Sequence, residues 1–402
     1  MKTKKIIWLN VMMLLGTIGL MLVLNEAVLR LYYWGSLAPK INDENPLVPH
    51  PTRGFAFRPG MTSWHQELDF TVQVHVNGQG LRGPEIQPKG AKKRILIVGD
   101  STTYGSGVSE ENIIPTLLGT ELGSSRVDVV NGSFTTYNTV QELLFLEEEG
   151  LLFEPDLVLL AFSPNTDIQA NTLSLQQLAQ KHNRRPYAAL SPQGELLLDL
   201  TYAKRFYQDQ QENAEIRKAS FFKGLVTYTL LKKYVKGFKS SKWNDPNMFI
   251  GWPFLAEFSP EHSTRGMSAQ DYQVLWDDGW QVTKALIVRM RDESRSKGAK
   301  FAMMVMAPKL QVEKDYQQKV QEVFPHLKLD TSRINRAFEE FGKEAGIPVL
   351  DALTPLVEAW GIGERGLYYN VEDEHMTAKA HKLVAASLAQ QIRDHHLLEV
   401  EE

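Results

Sequence analysis

The chain contains no cysteine. That absence excludes a disulfide framework, a thiolate nucleophile, Cys-ligated zinc or iron–sulfur clusters, and a cysteine for lipid attachment. Charge of one sign is also lacking. The 44 Lys and Arg residues nearly balance 48 Asp and Glu residues, leaving a net charge of −4, so no whole-chain field concentrates nucleic acid and none is expected as a partner. There is no fixed-period repeat, no low-complexity tract and no HExxH pair, which removes solenoid and zincin readings. The chemistry falls to serine, histidine and carboxylates. What is present, 402 residues with 43% hydrophobic and 23% charged side chains, suits one large folded domain with appendages.

One long apolar run stands at the start. Ile6 to Leu24 is broken only by Asn10, Thr17 and two glycines, enough helix to cross a bilayer core of roughly 30 Å. Lys2, Lys4 and Lys5 precede it, and the positive-inside rule keeps them cytoplasmic and sends the remainder outside. A cleavable signal peptide is the alternative. The sequence Asn25-Glu26-Ala27-Val28-Leu29-Arg30 is a poor cleavage site, so an uncleaved single-pass anchor over residues 1–30 is expected, with the lipid bilayer as its partner.

Residues 31–91 are rich in Pro, Gly and Asn and include the alternating segment Phe70 to Val76 ending in Asn77-Gly78, a strand entering a tight turn. A small β-rich apron is expected there. From Arg94 the pattern becomes short continuous apolar runs: Ile95–Val98, Val127–Val130, Leu157–Ala161, Phe301–Met306 and Val349–Leu350. Separated by helical stretches, these read as five buried parallel strands of a doubly wound α/β sheet over residues 92–396. About 130 residues separate the third and fourth runs, too many for one crossover, which predicts a helical insertion at about 170–275. Within it, Arg217 to Lys242 carries apolar residues at helical spacing with interleaved lysines. It reads either as an ordinary amphipathic helix or as one lying on a membrane or lidding the site. Trp243, Trp252, Trp276 and Trp280 read as insertion core or as a carbohydrate platform.

Ligands of such sheets bind beyond the carboxyl ends of the strands. The first run ends Val98-Gly99-Asp100-Ser101 and turns into a helix-like stretch, a position where a serine is exposed beside backbone N–H groups. Taken alone, Ser101 is equally a helix cap. Far downstream, Asp373 and His375 stand two residues apart ahead of a final amphipathic helix. In that spacing one side chain can orient the other's ring while the opposite nitrogen faces a nucleophile.

With these residues in hand, the chain resembles the SGNH/GDSL hydrolase superfamily, in particular bacterial members with an N-terminal membrane helix. The resemblance runs from about Gly54 to Ile392. It rests on Asn77-Gly78-Gln79-Gly80-Leu81-Arg82-Gly83, on Arg94 to Gly107, on Val129-Val130-Asn131, on Pro155-Asp156-Leu157-Val158, and on the Asp-x-His loop followed by Thr377 to His381. It implies a flavodoxin-like three-layer α/β/α sandwich, and hydrolysis of esters or removal of O-acetyl groups without metal or cofactor. By resemblance Ser101 is the nucleophile, His375 the base and Asp373 its orienting acid, with Glu372 in reserve at the more usual spacing. Two positions depart from the family pattern. Thr136 replaces the glycine whose N–H helps bind the oxyanion. Asn165-Thr166-Asp167 aligns with Gly-Asn-Asp, so threonine falls where the oxyanion asparagine belongs, unless a one-residue shift lets Asn165 serve. The expected substrate is an ester-bearing small molecule or a cell-surface glycan. An O-acetyltransferase uses the same residues with a sugar hydroxyl as acceptor. The rival from another class is a weakly active or inactive scaffold that binds a glycan or an assembly partner.

Overall fold

Alternation of side chains along each strand decides the layers. The computed structural model describes residues 2–32, 46–66, 69–164, 166–178, 184–212, 227, 256–257, 268–323, 325, 328–369 and 374–399. The five apolar runs form β1 (Lys93–Gly99), β2 (Val127–Ser133), β3 (Leu157–Phe162), β4 (Lys300–Val305) and β5 (Val349–Asp351). They pair in parallel in the order β5-β4-β3-β1-β2. This is the 2-1-3-4-5 order of flavodoxin-like sheets, so the expected fold class is what forms.

Two helical layers cover the sheet. Leu96, Val98, Val158, Leu160 and Phe162 face one cluster with α3 (Thr139–Glu148), α4 (Ala269–Ser296) and α5 (Arg333–Ala345). Their neighbours Ile95, Ile97, Leu157, Leu159 and Ala161 face the other, with α2 (Ile114–Leu122) and α6 (Ala378–Asp394). Because successive residues of a strand point to opposite faces, a sheet covered on both sides reads as an unbroken apolar run.

The Pro- and Gly-rich stretch ahead of β1 packs into the same core. It holds two hairpins, Leu47–His50 with Gly54–Phe57 and Thr62–Gln66 with Thr71–His75. Phe57 stacks on Tyr104 and Phe134 with ring centroids 5.1 and 5.2 Å apart. The turn expected at Asn77 is closed by its own side chain, whose Oδ1 accepts from the Gln79 and Leu81 N–H groups. The insertion is less purely helical than the sequence suggests. Helices Leu173–Leu178 and Thr201–Glu212 flank an antiparallel hairpin, Tyr187–Leu190 with Leu196–Asp199. The basic stretch 217–242, apart from Thr227, and Trp243 and Trp252 lie outside the described residues. Trp276 and Trp280 belong to α4. Trp276 is buried, and Trp280 packs edge-on against Phe338 and Phe341, so both serve the core.

The apolar start is a 31-residue helix, α1 (Lys2–Tyr32), that belongs to a separate compact unit with residues 212–241. Its window Asn10–Leu31 has mean hydropathy 2.0 and none of it is buried, so length and composition suffice to cross a membrane. Thr17 Oγ1 donates to Met13 O, Arg30 pairs with Glu26 at 2.9 Å, and Glu26 accepts from Thr227 N and Oγ1.

Candidate active site

Ser101 is presented by a strand that stops abruptly. At Gly99 an added Cβ would stand 2.9 Å from Ala161 O of β3, so the close approach requires glycine. Asp100 then caps a single helical turn, Ser101–Tyr104, by accepting the Thr102 N–H at 2.9 Å. Gly105 ends the turn at φ 88°, where an added Cβ would also meet Ile113 Cγ2 at 2.2 Å. The buried Arg82 guanidinium finishes the loop from outside, donating to Tyr104 O at 2.9 Å, Gly105 O at 2.7 Å and Val108 O at 2.5 Å. The Gly80-Leu81-Arg82-Gly83 lead-in therefore has a physical task, which is to supply donors to three carbonyls of the tight loop, of which Gly105 O also accepts the Val108 N–H.

His375 comes from the segment before α6, where Tyr368 and Met376 form an isolated bridge. Its Nε2 lies 2.7 Å from Ser101 Oγ, though the two residues are 274 positions apart. The pair faces a cavity of about 300 Å³ lined by Asp100, Thr102, Ser163, Thr166, Met306, Lys309, Tyr368 and Glu374 among others. A nucleophile and a base within hydrogen-bond reach at the mouth of an open cavity can perform acyl transfer. His381, in the same motif, has another task. Buried and held near pKa 3, chiefly by burial, it stays neutral and its Nδ1 accepts the Ile114 N–H.

The remaining expected residues are placed differently. Asp373, its reserve Glu372, and Asn165 lie outside the described residues. Thr136 follows β2 in an exposed turn at φ 65°, the left-handed conformation normal for the glycine it replaces. A β-branched residue held there is strained. Thr136 is not among the residues lining the cavity. Thr166 is, and its Oγ1 lies 3.4 Å from both Asp100 Oδ2 and Asp167 Oδ1.

Beneath the serine, three carboxyls converge from three elements: Asp100 after β1, Glu142 in α3 and Asp167 after β3. Asp167 Oδ2 accepts the Ser163 N–H at 2.8 Å, whereas neither oxygen of fully buried Glu142 has a hydrogen-bond partner. Burial first, then the negative charge of Asp167 and Asp100, holds Glu142 well above the usual carboxylate range. Burial and Asp100 do the same to Asp167, with the buried Arg185 guanidinium opposing. These residues and the cavity-lining Lys309 were not singled out from sequence, because no local pattern brings them together.

Among the described residues, one cluster, His50 with Glu148 and Glu149, has ligand-like spacing. Arg53 already occupies it, with Nη2 2.9 Å from His50 Nε2, an ion pair to Glu149, and Nε 3.2 Å from Glu148. A guanidinium supplies the positive charge a metal would bring, so the cluster does not suit one.

Comparison with known proteins follows the same line. Residues 268–402 match the family described as "SGNH hydrolase-like domain, acetyltransferase AlgX". No curated protein matches the chain. Among solved structures, a G-D-S-L family lipolytic protein from Desulfitobacterium hafniense is similar at 13% identity and TM-score 0.34, over 74% of this chain and 99% of that one. A lipase/acylhydrolase from Enterococcus faecalis is similar at 14% identity and TM-score 0.35, over 77% of this chain and 99% of that one. At these scores no residue role is carried over. Sheet order, strand-end serine and the family match over residues 268–402 agree with the resemblance read from the motifs.

Proposed function

We propose that the protein is a serine acyl-transfer enzyme acting on ester bonds, with O-acyl and especially O-acetyl groups as substrates, outside the cytoplasmic membrane. The observation that carries this reading is the 2.7 Å contact between Ser101 Oγ and His375 Nε2 at the mouth of the cavity. His375 takes the Ser101 proton as Oγ attacks the ester carbonyl. The protonated ring then gives that proton to the departing alcohol, and a second hydroxyl group attacks the acyl-serine. Asp373 is the acid assigned to hold the His375 ring. The oxyanion is assigned to the N–H groups of Ser101 and Thr136, with Asn165 as a further donor. The left-handed backbone at Thr136 supports that assignment, because it is the conformation the family's glycine would supply. The three lysines ahead of the apolar run support an inward N-terminus and an outward catalytic domain.

If water removes the acyl group the enzyme is an esterase; if a sugar hydroxyl does, it is an O-acetyltransferase. The second reading is favoured by the acetyltransferase description of the family matched at 268–402. Both are tested with the full chain in detergent, by release of p-nitrophenol from p-nitrophenyl acetate with and without a neutral oligosaccharide. Ser101→Ala is expected to lower turnover by at least about 10³-fold. Equal rates for wild type and Ser101→Ala would overturn the reading. Mass spectrometry of the oligosaccharide separates its branches, since only a transferase leaves an acetylated sugar.

A further inference from the structure

The residues around His375 are held by side-chain hydrogen bonds with three other elements. From the loop after β4, Ala307 O accepts the buried Tyr368 hydroxyl at 2.6 Å, and Lys309 Nζ donates to Tyr369 O at 3.1 Å. Tyr369 in turn donates its N–H to His375 O at 3.1 Å, so a single residue links the lysine to the histidine's own carbonyl. From the nucleophile loop, Gly107 O accepts the Tyr369 hydroxyl at 2.7 Å. From the helix Lys314–Val323, the Tyr316 hydroxyl donates to Glu374 Oε1 at 2.5 Å, one residue before His375.

Lys309 is the unusual member. Its side chain is 6% exposed, its Nζ lies 3.7 Å from Glu313 Oε2, and it sits 5.0 Å from the centroid of the Tyr316 ring. Lysine is rarely buried so fully, because its ammonium gives up hydration that protein partners must replace. A surface strap would hold the segment at lower cost. A buried cation that pairs with the backbone of a site loop and lines the same cavity is better explained by the geometry it imposes than by the stability it adds.

We propose that Lys309 and Tyr316 are positioning residues for His375: together they fix residues 368–369 and 374–376 so that Nε2 meets Ser101 Oγ, Lys309 through Tyr369 and Tyr316 through Glu374. The proposal rests on the serine acyl-transfer reading for its kinetic consequences, but not for its structural ones. A displacement of about 1 Å in a reacting group can cost about 10²-fold in rate.

The full-length chain in detergent is compared with Lys309→Met, which keeps the length and loses the charge, with Lys309→Arg, and with Tyr316→Phe. For Lys309→Met, kcat on p-nitrophenyl acetate is expected to fall about 10- to 10²-fold with KM changed little. Tyr316→Phe is expected to lower it by a few-fold, and Lys309→Arg to recover part of the loss. In a His375→Ala background the same substitutions are expected to have no further effect. A loss that persists without His375, or an unchanged kcat with only a lowered melting temperature, overturns the proposal. A second readout does not depend on turnover. With 13C-labelled histidine, the His375 ring resonance is expected to shift or broaden in Lys309→Met and Tyr316→Phe. Unchanged ring resonances in both folded variants overturn the strap. An inert wild type indistinguishable from Ser101→Ala instead overturns the acyl-transfer reading, and the ring resonances then decide the strap alone. Tyr316→Phe serves wherever Lys309→Met does not fold.

Discussion

Ser101 is held by backbone geometry, whereas His375 is held by side-chain hydrogen bonds that link its segment to distant elements. Around Ser101 the determinants are a strand end, a capped turn, Gly99 packed against β3, and Gly105 in the left-handed region. Arg82 reaches in from elsewhere, and it binds main-chain carbonyls. Around His375 the determinants are Tyr316, Lys309, Tyr368 and Tyr369, acting between segments about 60 to 260 residues apart in sequence. The difference teaches that the nucleophile's position is built into the stability of the fold. The base's position is a tertiary adjustment that can be loosened while the core stays intact.

Arg82→Met tests the first half most severely. It removes three hydrogen bonds from a charged donor in a buried loop, each worth about 1.5–3 kcal/mol, although Gly105 O keeps the Val108 N–H. A loss of about 3 kcal/mol or more in urea unfolding is expected, against a much smaller loss for Lys309→Met. Equal stability losses at the two sites would erase the contrast.

Glu142→Gln probes the carboxyls under the serine. The folded-state pKa of Glu142 is raised above its usual value of 4.5, chiefly by burial. The folded protein therefore holds this proton more tightly than the unfolded chain does. Its contribution to stability is fully present below about pH 4.5 and is lost as pH rises through the raised folded value. Replacing the acid by a neutral amide removes that loss. Urea unfolding should show little difference at pH 4.5 and a gain on the order of 1 kcal/mol at pH 8. A variant destabilised equally at both pH values would mean that the carboxyl is stabilised by something other than its proton.

Thr136→Gly gives the smallest expected effect. A threonine at φ 65° stores strain, and glycine relieves it at some cost in chain entropy, for a net gain of about 0.5–1 kcal/mol. Esterase turnover is expected to be kept, because the proposed donor is a main-chain N–H. A large loss of turnover would assign the threonine side chain itself a role.

The same contrast governs what was legible in the sequence. The five apolar runs gave the sheet because each strand is covered on both faces, and Ser101 followed from being at the end of the first run. His375 was legible from its short motif, yet its contact with Ser101 is made by topology across 274 residues. The strap was not legible, since Lys309 and Tyr316 carry no local signature and meet the His375 segment only in the folded chain. Nor was the hairpin at Tyr187–Asp199, whose strands of four residues are too short to announce a period. Thr136 shows the limit of residue rules: the pattern asks for glycine, and the fold imposes glycine's backbone on threonine.

The central claim is that Ser101 is a nucleophile activated by His375, and covalent labelling tests it most directly. The full chain in detergent is incubated with a fluorophosphonate and its peptides are mapped by mass spectrometry. One adduct, on Ser101, is expected in the wild type, with labelling slowed by at least about 10²-fold in His375→Ala. Absence of an adduct on Ser101, or labelling at the same rate without His375, would contradict the account.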